Sequence, residues 1–228
     1  MVIGAETRLV ALLGQPVAAS LSPRMQNAAF AARGLDWAYV ALDVGPEEFE
    51  TAARGLAAGG FAGANVTAPH KLAAAALAGS AEASVNTLVF DGGEVHGFST
   101  DTAILDGLPA ERPVVIGDGG AAQAFVAALP NARVFSRRGE WPADATDADL
   151  VVNATPVREE VLVSLGPGQT LVDLPYPDTA TAAAAREAGA TVLGGLEVLV
   201  AQGAASFERW TGVSAPVEVM RRAVGLRA

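Results

Sequence analysis

Short apolar runs recur along the chain and alternate with alanine-rich stretches whose apolar positions return at helical spacing. The runs predict ten strands: Arg8–Leu13, Trp37–Asp43, Ala62–Val66, Val85–Phe90, Val95–Phe98, Pro113–Ile116, Arg133–Phe135, Leu150–Asn153, Thr170–Asp173 and Thr191–Leu193. The stretches between them predict six helices: Pro23–Arg33, Pro46–Ala57, Leu72–Ala78, Ala121–Leu129, Thr179–Ala188 and Glu197–Thr211. Asp91-Gly92-Gly93-Glu94 separates two of the strands and reads as a hairpin turn. Such alternation of strand and helix belongs to the α/β class. No internal repeat, low-complexity linker or block of like charges interrupts it. The best domain boundary lies near Leu108-Pro109-Ala110-Glu111, just ahead of a strand that opens a glycine-rich loop.

A chain of 228 residues suits one large domain or two small ones. With 51% hydrophobic and 18% charged residues it can build a sizeable core, which argues against disorder. Fifteen basic against twenty-five acidic residues leave a net charge of −10, so neither a nucleic acid nor an anionic membrane is an expected partner. The absence of cysteine excludes disulfides, thiolate catalysis and Cys-ligated zinc. His70 and His96 are the only imidazoles, so no metal site is expected. No apolar run reaches ~18 residues, and no basic segment precedes an apolar one at the start, so the chain reads as soluble and cytosolic. Monomer and homodimer are both open.

One count bears on chemistry. Fourteen of the fifteen basic residues are arginine, and Lys71 is the single lysine. A guanidinium keeps its proton in a protein, whereas an amine can be tuned to release it. A lone lysine in an arginine-rich chain is therefore a candidate proton carrier, although a surviving surface lysine would look the same. Lys71 closes the segment Gly63-Ala64-Asn65-Val66-Thr67-Ala68-Pro69-His70-Lys71, a polar cluster just past a strand end. Val85-Asn86-Thr87 and Ser99-Thr100-Asp101 are similarly placed, and ligands of α/β folds bind beyond the carboxyl ends of strands. Amine, amide and carboxylate could converge there as proton carrier, orienting donor and anchor. Further upstream, Ser22-Pro23 makes a good N-cap and first-turn pair. Ser20 is not needed for capping, and the two hydroxyls together could grip a carboxylate.

Pro113–Ile116 runs into Gly117-Asp118-Gly119-Gly120-Ala121-Ala122 and then a helix, the strand, G-x-G-x-x-A, helix order of a dinucleotide site. Gly117 would permit the tight turn, Gly119 the close approach of pyrophosphate, and Ala122 close helix–strand packing. About 20 residues on, the next strand ends in Ser136-Arg137-Arg138, where arginine would accommodate a 2′-phosphate and an acidic residue would favour NAD. Two arginines favour NADP, while a merely solvated loop would also carry them. Asp118 would repel a pyrophosphate unless it turns outward.

At these residues the sequence resembles the shikimate dehydrogenase family. The likeness takes in the serine pair Ser20 and Ser22, N-V-T-x-P-x-K from Asn65 to Lys71, Val85-Asn86-Thr87 and Ser99-Thr100-Asp101. It continues through the glycine loop, Ser136-Arg137-Arg138, Asn153-Ala154-Thr155 and Asp173-Leu174-Pro175-Tyr176-Pro177 to the closing Gly195–Gly203 stretch. The resemblance implies an N-terminal substrate domain over 1–108, a Rossmann-like domain over 109–202, and residues 203–228 packing back on the first. It implies reversible NADP-dependent oxidation of shikimate to 3-dehydroshikimate, with Lys71 and Asp101 as the catalytic pair. Ser20, Ser22, Thr67, Asn86, Tyr176 and Gln202 would surround this small-molecule substrate. Gly117, Gly119, Gly120, Ala121, Ser136, Arg137, Arg138, Asn153, Thr155, Leu174 and Gly195 would hold NADP. The sequence departs from the family pattern at Ala19, Gln26, Ser99 and Thr102. Only a short stretch separates Arg138 from Leu150, where the family fits a further helix and strand. Two other readings stay open: a dehydrogenase of quinate or a related cyclohexane acid, and a binding protein of the same fold without turnover.

Overall fold

The computed structural model describes residues 3–227, which form an α/β chain of two compact units. One unit is Met1–Thr100 with Val200–Ala228, and the other is Asp101–Leu199. The divisions thus fall before the 3-10 turn Asp101–Leu105 and inside the last long helix, rather than after residues 108 and 202. The side chains of Ile104, Leu105 and Leu108 explain the first difference, because all three pack into a core of the second unit.

In the first unit, strands β1 (Arg8–Gly14), β2 (Trp37–Asp43), β3 (Gly63–Val66), β4 (Thr87–Asp91) and β5 (Glu94–Phe98) form a sheet of order β2-β1-β3-β4-β5. The first three are parallel, and β4 and β5 are antiparallel additions joined by the Gly92-Gly93 turn. Helices α1 (Ser22–Ala32), α2 (Phe49–Ala58) and α3 (Lys71–Leu77) follow β1, β2 and β3. Side chains alternate across each strand, so one face buries Ala11, Leu13, Ala64, Val66 and Leu88 with Phe49, Ala53, Ala74 and Ala75 of α2 and α3. Phe30 of α1 stacks on Phe207 at 5.4 Å and meets Trp37 at 5.5 Å. Phe30 and Phe207 are fully buried, each worth roughly 1.5–3 kcal/mol of apolar transfer.

In the second unit, β6 (Pro113–Ile116), β7 (Arg133–Phe135), β8 (Leu150–Asn153), β9 (Thr170–Asp173) and β10 (Thr191–Leu193) make an all-parallel sheet of order β10-β9-β8-β6-β7. The three inner strands are buried along their whole length, which is why their centres read as apolar and the polar residues Asn153, Thr170 and Asp173 fall at their ends. Helix α4 (Gly120–Ala128) and the 3-10 turn cover one face through Ala122, Phe125, Ile104 and Leu105. The opposite face is covered differently. Helix α5 (Ala180–Glu187) contributes Ala182 and Ala185, but the rest comes from irregular chain: Trp141, Ala145 and Ala148 before β8, and Leu162, Val163 and Leu165 after it. Residues 136–149 carry the chain across β6 with no helix, the usual device for a parallel crossover.

All ten expected strands are present, with β1 reaching Gly14 and β4 starting at Thr87. Helix α2 starts at Phe49, after Pro46, and α6 (Gly195–Thr211) starts a half-turn earlier than expected. A seventh helix, α7 (Val217–Ala223), was not expected from the apolar pattern. Its signals are Pro216 ahead of the first turn and Arg221 and Arg222 in the last, set against the strand-favouring Val217 and Val219.

Candidate active site

Strand register gathers the polar motifs of the first unit at one end of its sheet. Leu13 pairs with Val66, Asn65 with Thr87, and Thr87 with Phe98. The ends of β1, β3 and β5 and the start of β4 therefore lie side by side, and the loop carrying Ser20, the Thr67–Lys71 turn, Asn86 and Thr100 emerge there. The Thr67 N–H donates to the Leu13 carbonyl at 2.9 Å, tying two of these ends together. Lys71 opens α3, and its carbonyl accepts from the Val85 N–H at 3.1 Å, one residue before Asn86. Asp101 follows Thr100 as the first residue of the second unit and is buried. His70, next to Lys71, is buried, stacks on Phe49 at 4.7 Å and sits 2.7 Å from the Val44 carbonyl through Nε2.

A buried hydrogen-bond network underlies this end. The Asn86 Nδ2 donates to Gln202 Oε1 and to Thr100 Oγ1, both at 3.0 Å, and Asn86 Oδ1 accepts from the Thr100 N–H at 2.7 Å. Asn65 Nδ2 donates to Ser206 Oγ at 3.0 Å, and Asn65 Oδ1 accepts from the Tyr39 hydroxyl at 2.9 Å. Thr87 and Thr100 hydroxyls meet Ser206 Oγ at 2.8 and 3.1 Å. Gln202 and Ser206 lie one turn apart on α6, so this helix presents two polar groups to the sheet from a distant part of the sequence. Tyr39, Asn65, Thr87 and Ser206 are the members that the sequence motifs did not single out. Asn65 and Thr87 stood within quoted motifs, whereas Tyr39 and Ser206 had no local signal of a partner.

Ser22 does not take the N-cap position expected for it. Helix α1 begins at Ser22 itself, with Leu21 at the N-cap and no side-chain cap, whereas Ser20 Oγ accepts from the Ser22 N–H at 3.3 Å. The serine-proline pair places Pro23 in the first turn as expected, but the local hydroxyl bond comes from the earlier serine.

In the second unit, a cavity of about 300 Å³ opens beyond the carboxyl ends of β6, β7 and β8. Its lining combines Ile116, Gly117 and Asp118 with Ser136, Arg137 and Arg138, and with Trp141, Thr155, Val157 and Leu162. Gly117 has φ +130°, and a Cβ there would lie 3.2 Å from the Ala154 backbone, so both conformation and space require glycine. Gly119 precedes α4 in extended conformation without a side-chain cap, and Gly120 and Ala121 form the first turn. The Arg137 guanidinium pairs with the Glu160 carboxylate and lies 5.9 Å from the Trp141 ring centre. Arg138 lies 3.6 Å from Asp118, which is thus turned toward a cation rather than into the glycine turn.

Asn153 is fully buried and does not line the cavity. Its Nδ2 donates to Asp173 at 2.7 Å, while its Oδ1 accepts from the Thr155 N–H and hydroxyl at 3.1 and 2.8 Å. Thr155 is the lining residue that Asn153 orients. Thr179, the N-cap of α5, donates to the other Asp173 oxygen at 2.7 Å. Burial pushes the Asp173 carboxyl above its ordinary range, against the pull of these two donors. Leu174 and Tyr176 follow β9, and a Cβ on Gly195 would collide with the Leu174 and Pro175 carbonyls at 2.6 and 2.3 Å. Among the described residues no group of three His, Asp or Glu is placed to hold a metal, and no helix is long and apolar enough to cross a membrane.

Comparison with known proteins bears on both units. The family model of the shikimate dehydrogenase substrate binding domain matches residues 12–88, and that of the shikimate 5′-dehydrogenase C-terminal domain matches residues 195–224. The chain is 38% identical to the shikimate dehydrogenase (NADP(+)) of Methanopyrus kandleri, over 97% of this chain and 96% of the relative. It is 40% identical to that of Anaeromyxobacter dehalogenans, over 99% and 98%. Among solved structures, the shikimate dehydrogenase of Aquifex aeolicus matches with a TM-score of 0.87 at 30% identity, over 98% of this chain and 100% of that one. The Thermus thermophilus enzyme, solved in complex with NADP(H) and shikimate, matches with a TM-score of 0.84 at 32% identity, over 95% and 98%.

Proposed function

Because the chain belongs to the shikimate dehydrogenase family, we propose that it interconverts shikimate and 3-dehydroshikimate with NADP as hydride carrier. The observation that carries the reading is the meeting of Ser20, Thr67, Lys71, Asn86 and Gln202 motifs at one sheet end, above a network that fixes Asn86 and Gln202. The residues of the second unit fit the cofactor: a glycine turn that tolerates no side chain, an uncapped helix start for a pyrophosphate, and two arginines beside a cavity. When bound, NADP supplies the acceptor for hydride.

The chain's own part is to bind, orient and move one proton. As the C–H bond of the ring carbinol gives up hydride, its hydroxyl must release H⁺, and Lys71 Nζ accepts it as general base. In the reverse direction the same ammonium protonates the forming alkoxide. Asp101 balances and positions that charge, which a neutral partner would not do. Ser20 and Ser22 hold the substrate carboxylate, and Thr67, Asn86 and Gln202 its hydroxyls. The resulting ligand is small and anionic, in keeping with a site built from hydroxyls and amides rather than apolar walls.

A spectrophotometric assay with shikimate, quinate and both nicotinamide cofactors tests the reading. Shikimate with NADP is expected to give the highest kcat/KM. Lys71→Ala should lower kcat by roughly 10²–10⁴-fold, and Lys71→Arg should fail too, because guanidinium does not take up a proton. Nicotinamide reduction that is absent in the wild type, or unchanged in Lys71→Ala, would overturn it.

A further inference from the structure

The cavity of the second unit has a polar side and an apolar side. Ser136, Arg137 and Arg138 form the first, and Ile116, Val157, Leu162 and Trp141 the second. Trp141 belongs to the stretch that crosses from β7 to β8 without a helix. Half-buried, it packs against the core under the sheet face and also lines the cavity, so its ring is anchored by the core while bordering the cavity. The Arg137 guanidinium, 5.9 Å from the ring centre, completes a cation–aromatic pair at the boundary between the two sides. A volume of about 300 Å³ lies at the lower end of small-molecule sites and suits a purine with its ribose.

We propose that Trp141 is the adenine-binding wall of this cavity, a flat apolar surface supplied by the shortened crossover in place of a helical segment. The proposal deepens the reading of this unit as the NADP-binding one and rests on it. An aromatic ring held on one side by the core loses little freedom when a base stacks on its other side. Placing that ring beside Arg137 lets one residue read the base while its neighbour reads the 2′-phosphate, so both groups are recognised within a few residues of chain.

Adenosine 2′,5′-bisphosphate, the adenine half of the cofactor, tests this apart from hydride transfer. Trp37 and Trp210 are nearly buried, so Trp141 is the indole that this probe should quench. Quenching is expected in the wild type and should vanish in Trp141→Phe, which keeps a stacking ring and should bind within a few-fold of the wild type by calorimetry. Trp141→Ala should bind roughly 5- to 100-fold more weakly, the worth of one base–aromatic stack. Quenching that persists in Trp141→Phe, or an unchanged dissociation constant in folded Trp141→Ala, would overturn the role. If Trp141→Ala does not fold, the Trp141→Phe quenching result decides. Should the wild type bind no bisphosphate, the Trp141 role falls with it, while reduction of NADP by shikimate in the same preparation would show that the proposed function survives.

Discussion

The two units solve the placement of polar groups in opposite ways. In the first, Asn86, Thr87, Thr100 and Ser206 are buried, and each finds its partners inside the protein. In the second, the candidate cofactor residues Arg137 and Arg138 stand more than half exposed on a loop, each facing a carboxylate. A buried amide with all its bonds made is expensive to disturb, because removing one partner strands another away from water. Exposed ion pairs are worth little and exchange easily for a stronger anion. On the proposed reading, the first unit would be pre-arranged for the hydroxyls of a small anionic ligand, and the second would trade Glu160 and Asp118 for phosphate.

The sharpest way to break this contrast is Asn86→Ala. It strands the Thr100 N–H and leaves Gln202 Oε1 without its donor, and should cost about 2–5 kcal/mol in chemical denaturation. Stability equal to the wild type would mean that the network is slack. Charge reversal at Arg137 and Arg138 should do the converse. Unfolding should change by no more than ~1 kcal/mol, while KM for NADP rises roughly 10- to 100-fold and KM for NAD stays nearly level. Equal losses for the two cofactors would contradict a 2′-phosphate clamp.

The smallest effect concerns Asp173, a buried carboxylate of the second unit that shares the habit of the first. Its burial raises the pKa on folding, so the folded state holds this proton more tightly than the unfolded chain does. The stabilisation is complete below the ordinary carboxylate range and fades as pH rises through the raised value. Asp173→Asn should therefore flatten the fall in denaturation midpoint across mildly acidic pH relative to the wild type. Parallel pH profiles for the two proteins would show that the Asn153 and Thr179 donors cancel the burial.

Elements whose signal is local were legible in the sequence. The centres of the inner strands of the second unit are apolar, and Gly117 is demanded by a backbone turn at its own position. Partners set by distant contacts were not. Nothing near Asn65 announces Ser206, and nothing near Arg137 announces Glu160. The shift of the cap away from Ser22 has the same origin: both serines are good capping residues, and only the path of the loop decides which hydroxyl reaches the N–H. Coverage of a sheet face by irregular chain was also hidden, because Ala145, Leu162 and Leu165 carry no helical period.

The tethering of the Asn86 carboxamide by Gln202, Thr87 and Thr100 also has a kinetic side. A group that already sits in one rotamer requires no search when a ring hydroxyl arrives. Capture of the smaller ligand should then be paced by diffusion and orientation, leaving any slow rearrangement in a turnover cycle to the arginine loop.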